Sequence, residues 1–146
     1  MPVMKLASKY EMDVLRKRIV ALVEDTWPCS FKQWLLFRAQ INVIRDTYMA
    51  ADRRLIYGKD FSESVPEPAA AVRIARDFDI PSVLPCAYYT LACISFDHDW
   101  DRNEWRESPL ALGLAFARWR MVDWVDMGRI LRGRRELIRI MSLNIE

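Results

Sequence analysis

Val65-Pro-Glu-Pro-Ala-Ala-Ala-Val-Arg-Ile-Ala-Arg-Asp-Phe-Asp-Ile-Pro-Ser-Val-Leu-Pro-Cys-Ala-Tyr-Tyr-Thr-Leu-Ala-Cys-Ile94 carries two helical patterns of similar length that meet at Asp79-Ile80-Pro81. Ala71, Ile74, Ala75 and Phe78 recur at i, i+3, i+4, i+7, one face of a helix. Leu84, Ala87, Tyr88 and Leu91 repeat that spacing. Pro68 and Pro81 stand where proline is tolerated, in a first helical turn, and Pro85 also fits the first turn of the second helix. The spacing therefore predicts a helical hairpin, roughly Pro68 to Phe78 and Pro81 to Ser95.

The same pattern extends in both directions. Met12, Leu15, Ile19, Leu22 and Val23 line one face of a helical start over residues 3–24. Trp27-Pro28 ends it, because a residue before proline is pushed out of the helical region. Ser30 and Gln33 read as a capping box, and Trp34, Phe37, Ile41 and Ile44 follow at helical spacing. Asn42 and Val43 are weak helix formers, so this helix is expected to fray or split near Gln40. Residues 49–67, with Gly58, Ser62, Ser64 and Pro66, read as a loop or insertion, with a helical turn over 50–56. Residues 96–108 read as a charged connection. Between 110 and 116 the apolar residues alternate, and strand, helix and extended loop stay open. The last helix is expected from Asp123, its N-cap, to Leu143. Met127, Ile130, Leu131, Ile138, Met141 and Ile145 share its face, and Gly133 marks a kink or an end.

These elements amount to an all-α, single-domain helical array over residues 1–146, with a short extended segment allowed near 110–116. Its parts are 1–25, a linking helix over 26–48, the loop 49–67 and a C-terminal helical part over 68–146. Apolar residues at 52% and charged residues at 29% are globular proportions. The net charge of +2 gives no general steering toward nucleic acid or anionic lipid. No apolar run approaches the ~20 residues of a membrane span, and Met1 to Leu6 lacks a signal-peptide core before charge resumes. Cys29, Cys86 and Cys93 are odd in number, and the last two sit in apolar surroundings, which points to core thiols in a reducing, intracellular compartment, cytoplasmic or nuclear.

Four stretches together resemble the region that follows the core of the BTB/POZ domain in the large BTB families of mushroom-type fungi. Leu6 to Leu15 is similar to the last BTB helices, with Lys9-Tyr10 before an apolar helix. Trp27-Pro28-Cys29-Ser30 through Trp34 is similar to the join that follows. Ala71 to Leu91 resembles the family's Ala-Arg-x-Phe-x-Ile-Pro-x-Leu-Pro-Ala-Ala hairpin, and Leu131 to Leu137 its Leu-x-Gly-Arg-x-x-Leu ending. The likeness covers most of the chain outside residues 49–64. The strands and dimer-forming helix of the BTB core have no counterpart here. The resemblance implies a helical, adaptor-type region that works by protein–protein contact and brings no catalytic residues.

Motifs for chemistry are thin. Asp97-His98-Asp99-Trp100-Asp101 alternates acids as a calcium loop does, but neither register supplies the turn glycine or the closing glutamate. Cys86, Cys93 and His98 lack the paired spacing of a zinc site. His98 is the only histidine, and no nucleophile elbow accompanies it. Gly128 and Gly133 have phosphate-loop spacing, but Arg134-Arg135 follows instead of Lys-Ser/Thr. No catalytic residue, cofactor or metal site is assigned, and no small-molecule substrate or membrane is expected. Partner-binding candidates are Trp100 and Trp105, aromatic residues in a charged loop, and Arg132, Arg134 and Arg135 in the basic run of the last helix. The expected function is a non-enzymatic interaction module that binds a protein or itself. Three alternatives accompany it: a nucleic-acid or regulatory module using the arginine face, a small enzyme centred on Asp97 to Asp101, and a truncated relative with no activity.

Overall fold

A computed structural model describes residues 13–51, 58, 61–97, 100–101 and 116–143, and among these every regular element is helical. In chain order they are α1 (Asp13–Thr26), α2 (Phe31–Ala50), the single turn α3 (Phe61–Ser64), α4 (Pro68–Asp77), α5 (Leu84–Ala92) and α6 (Trp124–Leu143). Short 3₁₀ turns at Pro81–Val83 and Trp119–Met121 precede α5 and α6.

Helix α4 begins on Glu67, whose carboxylate accepts from the amides of Ala69 (3.0 Å) and Ala70 (2.5 Å). Two of the helix's orphan amides are satisfied this way. The same carboxylate accepts from the Arg118 amide at 3.0 Å, which fastens the segment before α6 to the start of the hairpin. Two residues after the end of α4, Asp79 takes the left-handed region at φ 54. The Ile80 amide then donates back to the Ala75 carbonyl at 2.8 Å. This is a Schellman-type end, and the buried Ile80 supplies its apolar contact. The chain turns there into Pro81–Val83 and α5.

Small residues let the hairpin close tightly. Ala69, Ala71, Val72 and Ala75 of α4 are buried, as are Val83, Ala87, Leu91 and Ala92 across from them. Helix α6 packs on α5, and α1 on the Pro81–Val83 corner. At that corner Arg16 donates to the Phe78 carbonyl at 2.9 Å, and the Ser82 hydroxyl to Glu24 at 2.6 Å. Helix α2 joins through aromatic contacts: Trp27 against Phe37, and Trp34 edge-on to Tyr89.

Several expectations stand and several change. The Ser30 hydroxyl accepts from the Gln33 amide at 3.3 Å, while Gln33 reaches back to the Cys29 amide at 2.9 Å, one residue earlier than a standard box. Asp123 caps α6 through the Asp126 amide at 2.8 Å. Helix α2 does not split near Gln40, and α6 runs through Gly133 unbroken. In both, the cost of a weak helix former is spread over twenty residues of uninterrupted backbone bonding. Helix α5 starts at Leu84 and ends at Ala92, shorter than expected, because the 3₁₀ turn takes Pro81–Val83. The turn expected over 50–56 and the alternating stretch 110–116 fall outside the described residues, except for Ala50 and Ala51 and for Phe116, which is buried.

A left-handed aspartate costs about 1 kcal/mol that a glycine avoids. Asp79→Gly is therefore expected to raise stability by about 0.5–1 kcal/mol, and Asp79→Val to lower it, in denaturant melts monitored by circular dichroism.

Candidate interaction surface

The residues singled out from the sequence have different fates. Trp100 is not an exposed anchor. It is 1% exposed, and its indole N–H donates to the Ser95 carbonyl at 3.1 Å. Burying so large a ring while satisfying its one donor makes it a clamp on the segment after α5. Trp105, His98 and Asp99 lie outside the described residues. The flanking acids have intramolecular partners. Asp97 accepts from the Ser95 hydroxyl at 2.7 Å, and Asp101 accepts from the Arg120 amide at 3.1 Å and pairs with its guanidinium. Among the described residues no three of His, Cys, Asp and Glu cluster as metal ligands would.

The arginine run divides into two groups. Arg134 turns toward the body: it donates to the Ile94 carbonyl at 2.9 Å and lies over the Phe96 ring, 5.0 Å from its centroid. Phe96 in turn stacks on Trp119. Arg134 therefore fastens α6 to the end of α5, and the expectation of one continuous basic face is corrected. Arg132, bonded to the Gly128 carbonyl within its own helix, and Arg135 remain exposed with Arg139. The cysteines are free, but Cys93 is exposed, which corrects its reading as a core thiol. Cys86 is half-buried, and that burial pushes its thiol pKa up.

The expected apolar face of α6 also changes. Ile130 is buried and Met127 half-buried, but Leu131, Ile138 and Met141 stand outward. The half-buried positions beside Ile130 are Arg134 and Leu137. Trp124, the first residue of α6, is exposed as well. A second outward apolar face runs along α2 through Phe31, Leu35, Leu36 and Val43. Phe31 stacks on Trp34, and Arg38 lies over the same indole. Helices α5 and α6 border an open groove of about 250 Å³, with Tyr89, Ala92, Gly133, Leu137 and Ile140 among its lining. A Cβ built on Gly133 would meet nothing, so the missing side chain leaves the groove open.

One polar centre was not foreseen. Asp126 is 3% exposed, and its carboxylate accepts from the Tyr88 hydroxyl at 2.5 Å and Arg129 at 2.6 Å, with Arg76 at 3.2 Å. It joins α4, α5 and α6 at one point. In sequence Asp126 looks like any acid in a first helical turn. Arg129 is a neighbour on the same helix, but Tyr88 and Arg76 come from 38 and 50 residues away, so no local signal reveals the cluster. Burial, then the bond to Asp126, raises the Tyr88 phenol above its ordinary value of 10.0, while Arg129 is held charged by Asp126 and Tyr88. The cluster is a structural lock with every group engaged.

No family model matches the chain, and no curated protein or solved structure matches it either.

Two outcomes follow from this geometry. Trp100→Ala is expected to cost about 3–5 kcal/mol in equilibrium unfolding, the range for a truncated core aromatic; an exposed residue would cost under 0.5. Tyr88→Phe is expected to cost about 1 kcal/mol at neutral pH. A phenol whose pKa is raised by folding contributes stability below its unfolded value and loses it as pH rises through the folded one. The wild-type melting temperature should therefore fall above pH ~10, and less steeply in Tyr88→Phe.

Proposed function

We propose that the chain is a non-enzymatic interaction module that binds protein through the outward faces of α2 and α6. The observation that carries this reading is the exposure of large apolar side chains in ordered helices: Phe31, Leu35 and Leu36 on one, and Trp124, Leu131 and Ile138 on the other. Scattered apolar residues are normal on any surface, but rows of them on a helix mark contact sites. Asp97, Asp101, Asp126 and Arg134 are each engaged in a bond within the chain.

Kinship with the helical region after a fungal BTB core belongs to this proposal. It is supported by the order of the four motifs along the chain, with the helical pair at the family's hairpin motif. An adaptor-type role follows from that kinship. Placement in the cytoplasm or nucleus is supported by the three free thiols. Among the described residues no helix is long and apolar enough to cross a membrane.

Photo-cross-linking in cells tests the reading. A benzophenone amino acid at Ile138 or Leu35 is expected to give protein adducts that the same group at Arg73, on α4, does not give. Equal yields at all three positions would overturn it. So would salt-sensitive nucleic-acid binding that Arg132→Glu with Arg135→Glu abolishes, since the arginine face would then be the working surface.

A further inference from the structure

The turn between α1 and α2 packs against α5 and the 3₁₀ turn before it at two points. The Ser82 hydroxyl donates to Glu24, near the end of α1, at 2.6 Å, and Tyr89 meets the ring of Trp34, in the first turn of α2, edge-on at 5.2 Å. Ser82, Cys86 and Tyr89 stand at i, i+4, i+7, so Cys86 lies on the same face between the two contacts. Cys29 stands midway between Glu24 and Trp34 on the facing chain, in the turn itself. Its thiol donates to the carbonyls of Trp27 at 3.5 Å and Glu24 at 3.9 Å, which holds the sulfur at the end of α1, beside the Ser82 contact. The two sulfurs are thus bracketed by contacts on both sides. Their electrostatics agree: burial first, and then the nearby Cys29 thiol, push the Cys86 thiol up, as for two groups whose charges repel. Both thiols are free; Cys29 is exposed and Cys86 half-buried. Cys93 follows Cys86 by seven residues along the helix, a rise of about 10 Å, which is beyond disulfide reach of it.

We propose that Cys29 and Cys86 are a reversible redox pair, closed to a disulfide by a small oxidised disulfide of the glutathione type. Exposure sets the order of events, because the thiol that solvent reaches reacts first. Cys29 gives up its proton, and its thiolate attacks one sulfur of oxidised glutathione. That S–S bond breaks, one glutathione thiolate leaves, and Cys29 carries a mixed disulfide. Cys86, deprotonated in turn, attacks the Cys29 sulfur and expels the second glutathione thiolate. Each leaving thiolate takes up the proton its attacker released. The chain's two thiols are oxidised to one disulfide, and one oxidised glutathione is reduced to two thiols. Cys29 lies outside both helices, so rotation in the turn brings the sulfurs to bonding distance while α1, α2 and α5 keep their backbone bonds. The link pins the start of α2 to α5, and with it the outward face from Phe31 to Val43. A transient pair of this kind is the form disulfides take in a reducing compartment.

Equilibrating the dilute full chain with glutathione poised from fully reduced to fully oxidised, followed by acid quenching and mass spectrometry, tests the proposal. Oxidised wild type is expected to lose both thiol hydrogens without gaining glutathione, and to keep one titratable thiol of its three. Non-reducing digestion should return the Cys29 peptide joined to the Cys86 peptide, and dithiothreitol should part them. Cys86→Ser should stop at the glutathione adduct on Cys29, whereas Cys93→Ser should close as wild type does. Wild type that stays reduced, stops at adducts, or joins through Cys93 or between chains overturns the pair. Circular dichroism of the oxidised form should match that of the reduced form; a link that forms only with loss of helicity overturns the proposal as well.

Discussion

The corner at Asp79-Ile80-Pro81 is the constraint on which the rest of the structure depends. A helix must stop there, reverse and restart within a few residues, and each step has a physical device. Asp79 takes the left-handed conformation, Ile80 returns its amide to Ala75 and buries its side chain, and Pro81 opens the next turn. Once the corner is fixed, α4 and α5 lie close enough for Ala71, Ala75 and Ala87 to be fully covered. Helix α1 then anchors on the corner through Arg16 and Glu24, and α6 lies on α5. A change in the angle of this turn would displace every later contact.

Polar groups set the position of α6 more sharply than apolar ones. Asp126 gathers Tyr88, Arg76 and Arg129 near the start of the helix, and Arg134 reaches the Ile94 carbonyl two turns later. Two bonded points along one helix fix both its rotation and its height. That rotation buries Ile130 and leaves Trp124, Leu131 and Ile138 outward. The outward row is thus a consequence of the inward lock. The carboxylate of Asp126, costly to bury alone, is tolerated because three donors surround it.

What could be read from the sequence was what depends on neighbours along the chain. Ser30 and Gln33 lie three residues apart, Asp123 caps its own helix, and Pro68 and Pro81 mark helix starts. Helical periodicity gave the hairpin faces of α4 and α5 correctly, because both helices are short enough for the body to cover their apolar positions. It failed on α6, where a twenty-residue helix has more apolar positions than the body can cover and the period alone does not say which are covered. Trp100 looked exposed because charge surrounds it in sequence, yet its partner, the Ser95 carbonyl, is reached only through the folded turn. Arg134 was indistinguishable from Arg132 and Arg135 until Ile94 and Phe96 were placed beside it.

Amide hydrogen exchange resolved by residue tests this account most directly. The Ile80 amide, bonded to the Ala75 carbonyl, should exchange as slowly as the amides of Ala87 and Leu91, opening only with global unfolding. If Ile80 exchanges at the rate of the exposed loop while α4 and α5 stay protected, the corner does not organise the fold.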